Sequence, residues 1–169
     1  MKHLLLLVLF VAASVQALPD ASRSEAPALR QWGSGEMRWF GLALYRATLW
    51  VAGESPESST SALQLDYLRD IGRARLVQTS LDEMRRLGAD EAQLKRWEGD
   101  LQRVFPNVKE GESLVGVHHP GRGASFFHQG QAIGEISDAE FARRFFAIWL
   151  DPASRSPRLR AAPLKRPQS

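Results

Sequence analysis

The stretch LVGVHHPGRGASFFHQGQAIGEISDAEFARRFFAIWL, residues 114–150, decides the fold. It contains three short apolar runs separated by glycine-containing turns: residues 114–119, 124–128 and 132–136. Such spacing is typical of antiparallel strands joined by hairpins. Ser137 and Glu140 then form a capping-box pattern that begins a helix. Its apolar stripe has helical spacing and comprises Phe141, Phe145, Ile148 and Trp149. The stretch therefore predicts an antiparallel sheet with a helix packed on it.

Two further helices are predicted immediately before these strands. The first spans residues 75–87, and the second begins at Asp90, whose partner in a capping box is Gln93. Both have apolar residues at helical spacing: Val77, Leu81, Met84 and Gly88 in the first, and Leu94, Trp97, Leu101 and Val104 in the second. Pro106 ends the second helix. The break at Leu87-Gly88 is short, so the two helices are expected to be neighbours.

Strands are also predicted upstream of the helices. Residues 29–51 form the first structured run, with a turn at Gly33-Ser34-Gly35 and a polar loop from 53 to 61 after it. Both faces of residues 39–45 are largely apolar, which favours a central strand covered on both sides. Residues 63–68 alternate and predict a half-exposed strand. The order predicts an α+β domain, an antiparallel sheet with helices packed on one face.

The beginning of the chain has the pattern of a secretory signal. A short basic start is followed by the apolar run Leu4–Val11 and by small residues up to Ala17. A retained membrane anchor is the alternative, but the polar segment that begins at Leu18 favours cleavage after Ala17. No later stretch is apolar enough to span a membrane. We therefore expect an exported protein with no transmembrane segment after signal cleavage.

Domain boundaries follow from composition. We expect a signal peptide over residues 1–17, a linker over 18–28, one folded domain over 29–151 and a tail over 152–169. The chain has 22 basic and 19 acidic residues, but five of the basic ones lie from Arg155 onward, where there is no acid. Proline, serine and this charge predict a disordered, solvated tail. The absence of interleaved aromatic residues argues against a nucleic-acid partner.

Several functional classes are disfavoured by the motifs that the chain lacks. It has no cysteine, so neither a disulfide nor a thiol nucleophile is available. No Gly-x-Ser-x-Gly elbow and no phosphate-binding glycine loop occur. We expect no cofactor.

The positions of the histidines do not indicate a metal site. His118 and His119 are neighbours on one strand and point to opposite faces. The hairpin register places His118 near Ser125 and His128 near Val115, so the three rings do not converge. Half-solvated structural histidines are the expectation, with no metal.

Arg38 is the most unusual residue, because it starts an otherwise apolar run that also contains Tyr45. A buried arginine needs a partner or a polar ligand. The alternative is that Arg38 lies exposed at a strand end or pairs with Glu36, and the residues alone favour that alternative. Tyr45 would ordinarily be a core tyrosine whose hydroxyl reaches a partner.

Gly-Ser-Gly-Glu-Met-Arg at 33–38, followed by Leu-Tyr-Arg-Ala-Thr-Leu-Trp at 44–50, resembles the opening of chalcone isomerase-like domains. Later segments resemble the family in the same order: residues 85–88, 105–114, 132–136 and 141–151. The resemblance covers residues 29–151, and residues 148–151 resemble the ending found in the bacterial branch, which together with the signal pattern implies a periplasmic location. It implies an open-faced β-sandwich with a ligand cleft between the sheet and its helices.

The resemblance also implies candidate site residues. Arg38 matches the arginine that holds the substrate oxyanion in the plant enzymes, and Tyr45 matches a tyrosine of the fatty-acid-binding relatives. The enzymes' helix tyrosine falls near Gly72, their asparagine near Thr79, and their last-helix threonine or serine at Ile148. Loss of these polar groups argues against flavonoid cyclisation. A cation and a phenol suit an anion on an apolar molecule.

Arg38 and Tyr45 are seven residues apart, which would place them on opposite faces of an unbroken strand. They share a cleft only if the chain bulges or turns between them, and Gly41 is the obvious place.

Three functions are compatible with these residues. The first is non-catalytic binding of a small apolar acid such as a fatty acid, with Arg38, Tyr45 and Thr79 as ligand-binding residues. The second is an isomerase or intramolecular lyase, with Arg38 stabilising an oxyanion and Tyr45 as acid or base. The third is a structural partner in an envelope complex, using an apolar patch or the basic tail. The oligomeric state is not predicted.

Overall fold

The computed structural model describes residues 18–25 and 28–155. Within these residues the chain forms four helices and six strands. In chain order they are α1 (Asp20–Glu25), β1 (Arg30–Trp39), β2 (Leu42–Val51), β3 (Ser61–Tyr67), α2 (Arg73–Arg86), α3 (Glu91–Val104), β4 (Ser113–His119), β5 (Gly123–His128), β6 (Gln131–Ile136) and α4 (Ala139–Leu150). The predicted signal peptide and all of the tail beyond Arg155 lie outside the described residues, whereas α1 lies within the predicted linker.

The strands form one open antiparallel sheet in chain order, β1-β2-β3-β4-β5-β6. Every neighbouring pair is antiparallel. Helices α2, α3 and α4 pack on one face of this sheet and contribute most of the main core. This arrangement confirms the predicted α+β architecture.

The opposite face carries a second, smaller apolar cluster. Leu18 is buried there against side chains of β2, β3, β4 and β5, namely Trp50, Ala62, Val115, Val117 and Phe127. This cover explains why β3, which the alternating pattern predicted to be half-exposed, is buried on both faces. The prediction for β3 was wrong because the covering segment is distant in sequence.

Residues 39–45, which were predicted to lie in one central strand, contain the turn of a hairpin. β1 and β2 are joined by a two-residue turn at Phe40-Gly41, in which both residues have positive φ, 46° and 78°. Positive φ at both central positions is the type I′ geometry that matches the twist of paired strands. The predicted turn at residues 33–35 was also wrong, because these residues lie inside β1. Arg38 and Tyr45 therefore lie on different strands.

The helices agree closely with their patterns. Asp90 caps α3 through the predicted capping box, because its side chain accepts a hydrogen bond from the Gln93 N–H while the Gln93 side chain accepts one from the Asp90 N–H. The start of α4 was misplaced by one residue. Asp138 and not Ser137 is the N-cap, and it accepts a hydrogen bond from the Phe141 N–H at 2.9 Å. Asp138 also accepts one from Trp97 Nε1, which joins α3 to α4.

The histidines do not converge, as predicted, but their register and burial differ from expectation. His118 pairs with Ala124 and His128 with Leu114, one residue from the expected partners. His118 is buried and stacks on Phe146, so it is not half-solvated. In the part of the chain that the structure describes, no group of three or more His, Cys, Asp or Glu side chains could hold a metal ion. None of the helices in these residues is long and apolar enough to cross a membrane.

Candidate functional site

A cavity of about 1030 Å³ lies between α2, α4 and the first four strands. This volume is at the upper end of the roughly 300–1,000 Å³ that is typical of small-molecule sites. Its apolar lining comes from the sheet, from α2 and α4, and from the segments just before α2 and after α3, and it includes Leu44, Leu65, Ile71, Leu76, Phe105, Leu114, Phe145, Ile148 and Trp149. Such a lining suits a molecule that is mostly hydrocarbon.

Tyr45 is the central polar group of the apolar wall. Its hydroxyl oxygen accepts a hydrogen bond of 3.1 Å from Trp149 Nε1, which fixes the phenol against α4. The phenolic proton has no acceptor among the described residues. Tyr45 can therefore donate a hydrogen bond to a molecule in the cavity.

The protonation state of Tyr45 follows from its surroundings. Burial raises the pKa of Tyr45 to about 12 from the ordinary 10.0, although the hydrogen bond from Trp149 opposes the shift. Tyr67, whose ring meets Tyr45 edge to face at 5.8 Å, lines the same cavity. Burial, with a smaller contribution from Tyr45, also raises the pKa of Tyr67. Both phenols are neutral at pH 7.

Arg38 lines the same cavity, but it is not buried in it. Its side chain is 60% exposed, and Nε donates to Glu36 Oε1 at 2.7 Å. A second hydrogen bond of 3.0 Å runs from Nη1 to the Gly41 carbonyl. The structure therefore has the ion pair with Glu36 that the sequence alone favoured, and it also has a cavity beside Arg38.

The hairpin brings Arg38 and Tyr45 together. Beyond the turn the β1–β2 pairing shifts: Met37 lies opposite Tyr45, whereas Arg38 lies opposite Ala43. Leu44 is the extra residue in this irregularity, and it also lines the cavity. On an unbroken strand Arg38 and Tyr45 would lie on opposite faces. Because the chain turns at Phe40-Gly41 and bulges at Leu44, both residues line the same cavity.

The mouth of the cavity is rich in arginine. Six arginines and three carboxylate side chains are among its lining residues: Arg38, Arg69, Arg75, Arg85, Arg86 and Arg155, with Asp70, Asp82 and Glu83. Arg85 and Arg86 pair with acids on or next to α2. Arg69 and Arg75 form no ion pair with any described residue. The excess of cations favours a negatively charged group at the mouth.

The positions implied by the family resemblance lie around this one cavity. Gly72, Thr79 and Ile148 line it together with Arg38 and Tyr45. Thr79 lies on α2 and is exposed. Gly72 is the N-cap residue of α2 and Ile148 is apolar, so neither supplies a side-chain donor or acceptor.

Sequence reasoning missed Trp149, Tyr67, Arg69 and Arg75 as residues of the site. Trp149 was assigned to the buried stripe of α4, and nothing in that stripe indicates a partner 104 residues away. Tyr67 could have been noticed, because the chain contains only two tyrosines. Arg69 and Arg75 could have been noticed, because residues 69–75 contain three arginines and only one acid.

A family model described as chalcone isomerase-like matches residues 12–164, which is most of the chain. The chain belongs to the chalcone isomerase-like family. No curated protein sequence matches this chalcone isomerase-like protein significantly.

Among solved structures, the protein is similar to a fatty-acid-binding protein of Arabidopsis thaliana. The TM-score is 0.63 at 11% sequence identity, and the match covers 81% of this chain and 87% of the other. At this identity the likeness shows the fold alone. The open antiparallel sheet with helices packed on it is therefore a chalcone isomerase-like fold, as predicted.

Proposed function

We propose that this chalcone isomerase-like protein binds a small apolar acid, such as a fatty acid, and does not catalyse a reaction on it. The apolar part of the ligand would lie along the lining from the sheet and α4. Its carboxylate would face Arg38, Tyr45 and Thr79, with Arg69 and Arg75 adding positive charge. The observation that carries the proposal is a large apolar cavity with a neutral phenol in its wall and an excess of arginine at its mouth.

The chemistry of the site favours binding over catalysis. With a pKa of about 12, Tyr45 is too weak an acid to exchange protons readily at neutral pH, whereas a neutral phenol is a good donor to a carboxylate. Gly72 and Ile148 bring no polar atom from their side chains. An isomerase would need a free general base, but the carboxylates that line the cavity have partners: Asp82 and Glu83 pair with arginines of α2, and Asp70 accepts a hydrogen bond from a backbone N–H.

The fold comparison supports the ligand class. A solved structure with the same fold is described as a fatty-acid-binding protein. Because the shared identity is only 11%, the support comes from the shared architecture together with the cavity lining.

Titration of the purified protein with palmitate, followed by tryptophan fluorescence, tests the proposal. Hexadecanol has the same chain without the carboxylate, so it measures the contribution of the charge. Charge-assisted hydrogen bonds contribute about 1.5–3 kcal/mol, so Arg38→Gln and Tyr45→Phe should each weaken palmitate binding about 10- to 100-fold.

Arg103→Gln is a matched control for Arg38→Gln. Arg103 is 59% exposed, pairs with Asp100 and donates to a backbone carbonyl, as Arg38 does, but it does not line the cavity. Unchanged palmitate binding in Arg103→Gln and weaker binding in Arg38→Gln are expected. Equal affinity for palmitate and hexadecanol in every variant would contradict a role for the carboxylate.

We also propose that the protein acts in the periplasm as a bacterial member of its family. The proposal rests on the signal pattern of residues 1–17, which lie outside the described residues. The mass of the protein recovered from the periplasmic fraction should correspond to a chain that begins at Leu18. A full-length mass in the cytoplasmic fraction alone would contradict this location.

A further inference from the structure

The β1–β2 hairpin ends in an apolar tip. Trp39, Phe40 and Leu42 are 45%, 91% and 54% exposed, and they are the large apolar side chains that the described part of the chain leaves exposed. All three lie at one turn, and Trp39 also lines the cavity. A cluster of exposed apolar residues at a single projecting point indicates an interaction surface.

The backbone of this tip is unfavourable for its sequence. Phe40 has a φ of 46°, in the left-handed region that bulky residues rarely adopt. Asn-Gly is the preferred pair for such a turn, and Phe40-Gly41 has phenylalanine where asparagine would be better. Phe40 gains no compensating burial, because it is 91% exposed. Backbone strain that no buried contact offsets is typical of functional positions.

Cations flank the tip. Arg38 precedes it in β1; its side chain is 60% exposed and pairs with Glu36 through Nε. The guanidinium of Arg155, 52% exposed, lies 6.0 Å from the centre of the Trp39 ring and also pairs with Glu83. An aromatic tip with arginines behind it matches the layering of a bilayer surface, in which acyl chains lie beneath anionic headgroups.

We propose that the Trp39-Phe40-Gly41-Leu42 tip inserts into the surface of an anionic phospholipid bilayer. Phe40 and Leu42 would enter the acyl boundary, Trp39 would lie at the headgroup level, and Arg38 and Arg155 would contact the lipid phosphates. The cavity mouth then faces the bilayer, because Trp39 and both arginines also line it. This docking goes beyond the proposed ligand and does not depend on it.

A bilayer suits the tip better than a protein does. Stable protein interfaces use about 20–30 residues and about 800 Å² on each partner. The tip offers three apolar side chains on a narrow turn, which is far less. A few apolar side chains together with basic residues are sufficient for reversible membrane binding, because two weak signals add.

Flotation with vesicles tests this proposal in the absence of any fatty acid. Vesicles of phosphatidylglycerol with phosphatidylcholine are compared with phosphatidylcholine alone, using purified protein of defined N-terminus. Loss of one aromatic side chain from a membrane interface weakens binding about tenfold or more, so Phe40→Asn should bind anionic vesicles at least that much less tightly.

Gln129→Asn is the matched control. Gln129-Gly130 is a second two-residue hairpin turn in which both residues have positive φ, 51° and 76°, but its first residue is polar. The control should bind vesicles as the wild type does. Any contribution of the leader or the tail is shared by all variants, so it cancels in the comparison.

Quenching by vesicles with brominated acyl chains adds a readout of position. Brominated vesicles should quench the tryptophan fluorescence of the wild type. Trp39→Phe should still float with anionic vesicles, but its fluorescence should lose most of the quenching. Flotation of Phe40→Asn equal to wild type, or unquenched tryptophan in bound wild-type protein, would overturn the proposal. The proposal would also be overturned if the wild-type protein bound neither kind of vesicle, or if it dimerised through the tip.

Discussion

The two tyrosines provide a direct test of the cavity wall, because they are the only ones in the chain and both line the cavity. Burial raises the pKa of Tyr45 from 10.0 to about 12 and also raises the pKa of Tyr67. A difference of about two units corresponds to about 3 kcal/mol that favours the neutral phenol in the folded state. Tyrosinate should therefore be absent at a pH where free tyrosine is half ionised.

The sign of the linkage is fixed by the raised pKa. The folded state binds the phenolic proton more tightly than the unfolded state does, so this stabilisation is complete below pH 10 and is lost as the pH rises from about 10 to about 12. Tyrosinate absorbance and far-ultraviolet circular dichroism should therefore change together, in one alkaline transition.

Alkaline difference spectroscopy on wild type and Tyr45→Phe makes the measurement. In Tyr45→Phe the remaining signal belongs to Tyr67 and should also be delayed above pH 10. The opposite result is a wild type that develops half of its tyrosinate signal near pH 10 while it keeps native circular dichroism. It would mean that Tyr45 is open to water and is not a neutral donor in an apolar wall.

Three further substitutions have definite expected outcomes. Burial, with a smaller effect of the neighbouring His119, lowers the pKa of His118 below 6.5. The free energy of unfolding should therefore fall as the pH drops below that value, by at most about 1.4 kcal/mol per pH unit. In urea unfolding between pH 4 and 7, His118→Phe should show a weaker dependence of stability on pH, and an unchanged dependence would show that His118 is not the group responsible. Asp138→Ala removes the α4 cap and the acceptor of Trp97 Nε1, so it should cost about 2–3 kcal/mol. Asp138→Asn keeps one oxygen to accept from the Phe141 N–H but turns an amide –NH2 toward Trp97 Nε1, so urea unfolding should show a smaller loss; equal losses in both would argue against the cap. Phe40→Asn relieves the backbone strain of a phenylalanine with left-handed φ, about 1 kcal/mol, and loses no buried surface, so it should raise Tm by about 2–4 °C. A lower Tm would show that the Phe40 side chain packs in the folded protein.

Local patterns were sufficient for the helices and the last hairpins. The apolar stripe of α3 and its capping box depend on residues within one or two turns, and they were predicted correctly. The cap of α4 was misplaced by one residue, because Ser137 and Asp138 are both good capping residues and only the fold decides between them.

The first hairpin could not be predicted from local preference. Phenylalanine is rare in a left-handed turn, so Phe40-Gly41 reads as part of an apolar strand. The same run of apolar residues hid the exposed tip. A turn that violates local preference is expected at functional positions, where stability is not the only constraint.

The cavity was predicted in part. The family resemblance led to Arg38, Tyr45 and Thr79, and the structure places all three on one cavity. The hydrogen bond from Trp149 to Tyr45 joins residues 104 apart, and no periodicity reveals such a contact. The ion pair of Arg38 with Glu36 was the local alternative, and it coexists with the cavity.

Native mass spectrometry of the purified protein, together with a variant whose cavity is blocked, shows whether an apolar acid occupies the cavity. Thr79 is exposed on α2 at the cavity, so Thr79→Trp should fill the entrance without disturbing the core. Gln102→Trp, at an exposed position of α3 away from the cavity, is the control. Wild type and Gln102→Trp should carry or take up a carboxylic acid such as palmitate, whereas Thr79→Trp should not. A wild type that stays bare with added palmitate, or a Thr79→Trp variant that binds it equally well, would show that the cavity is not the binding site of such an acid.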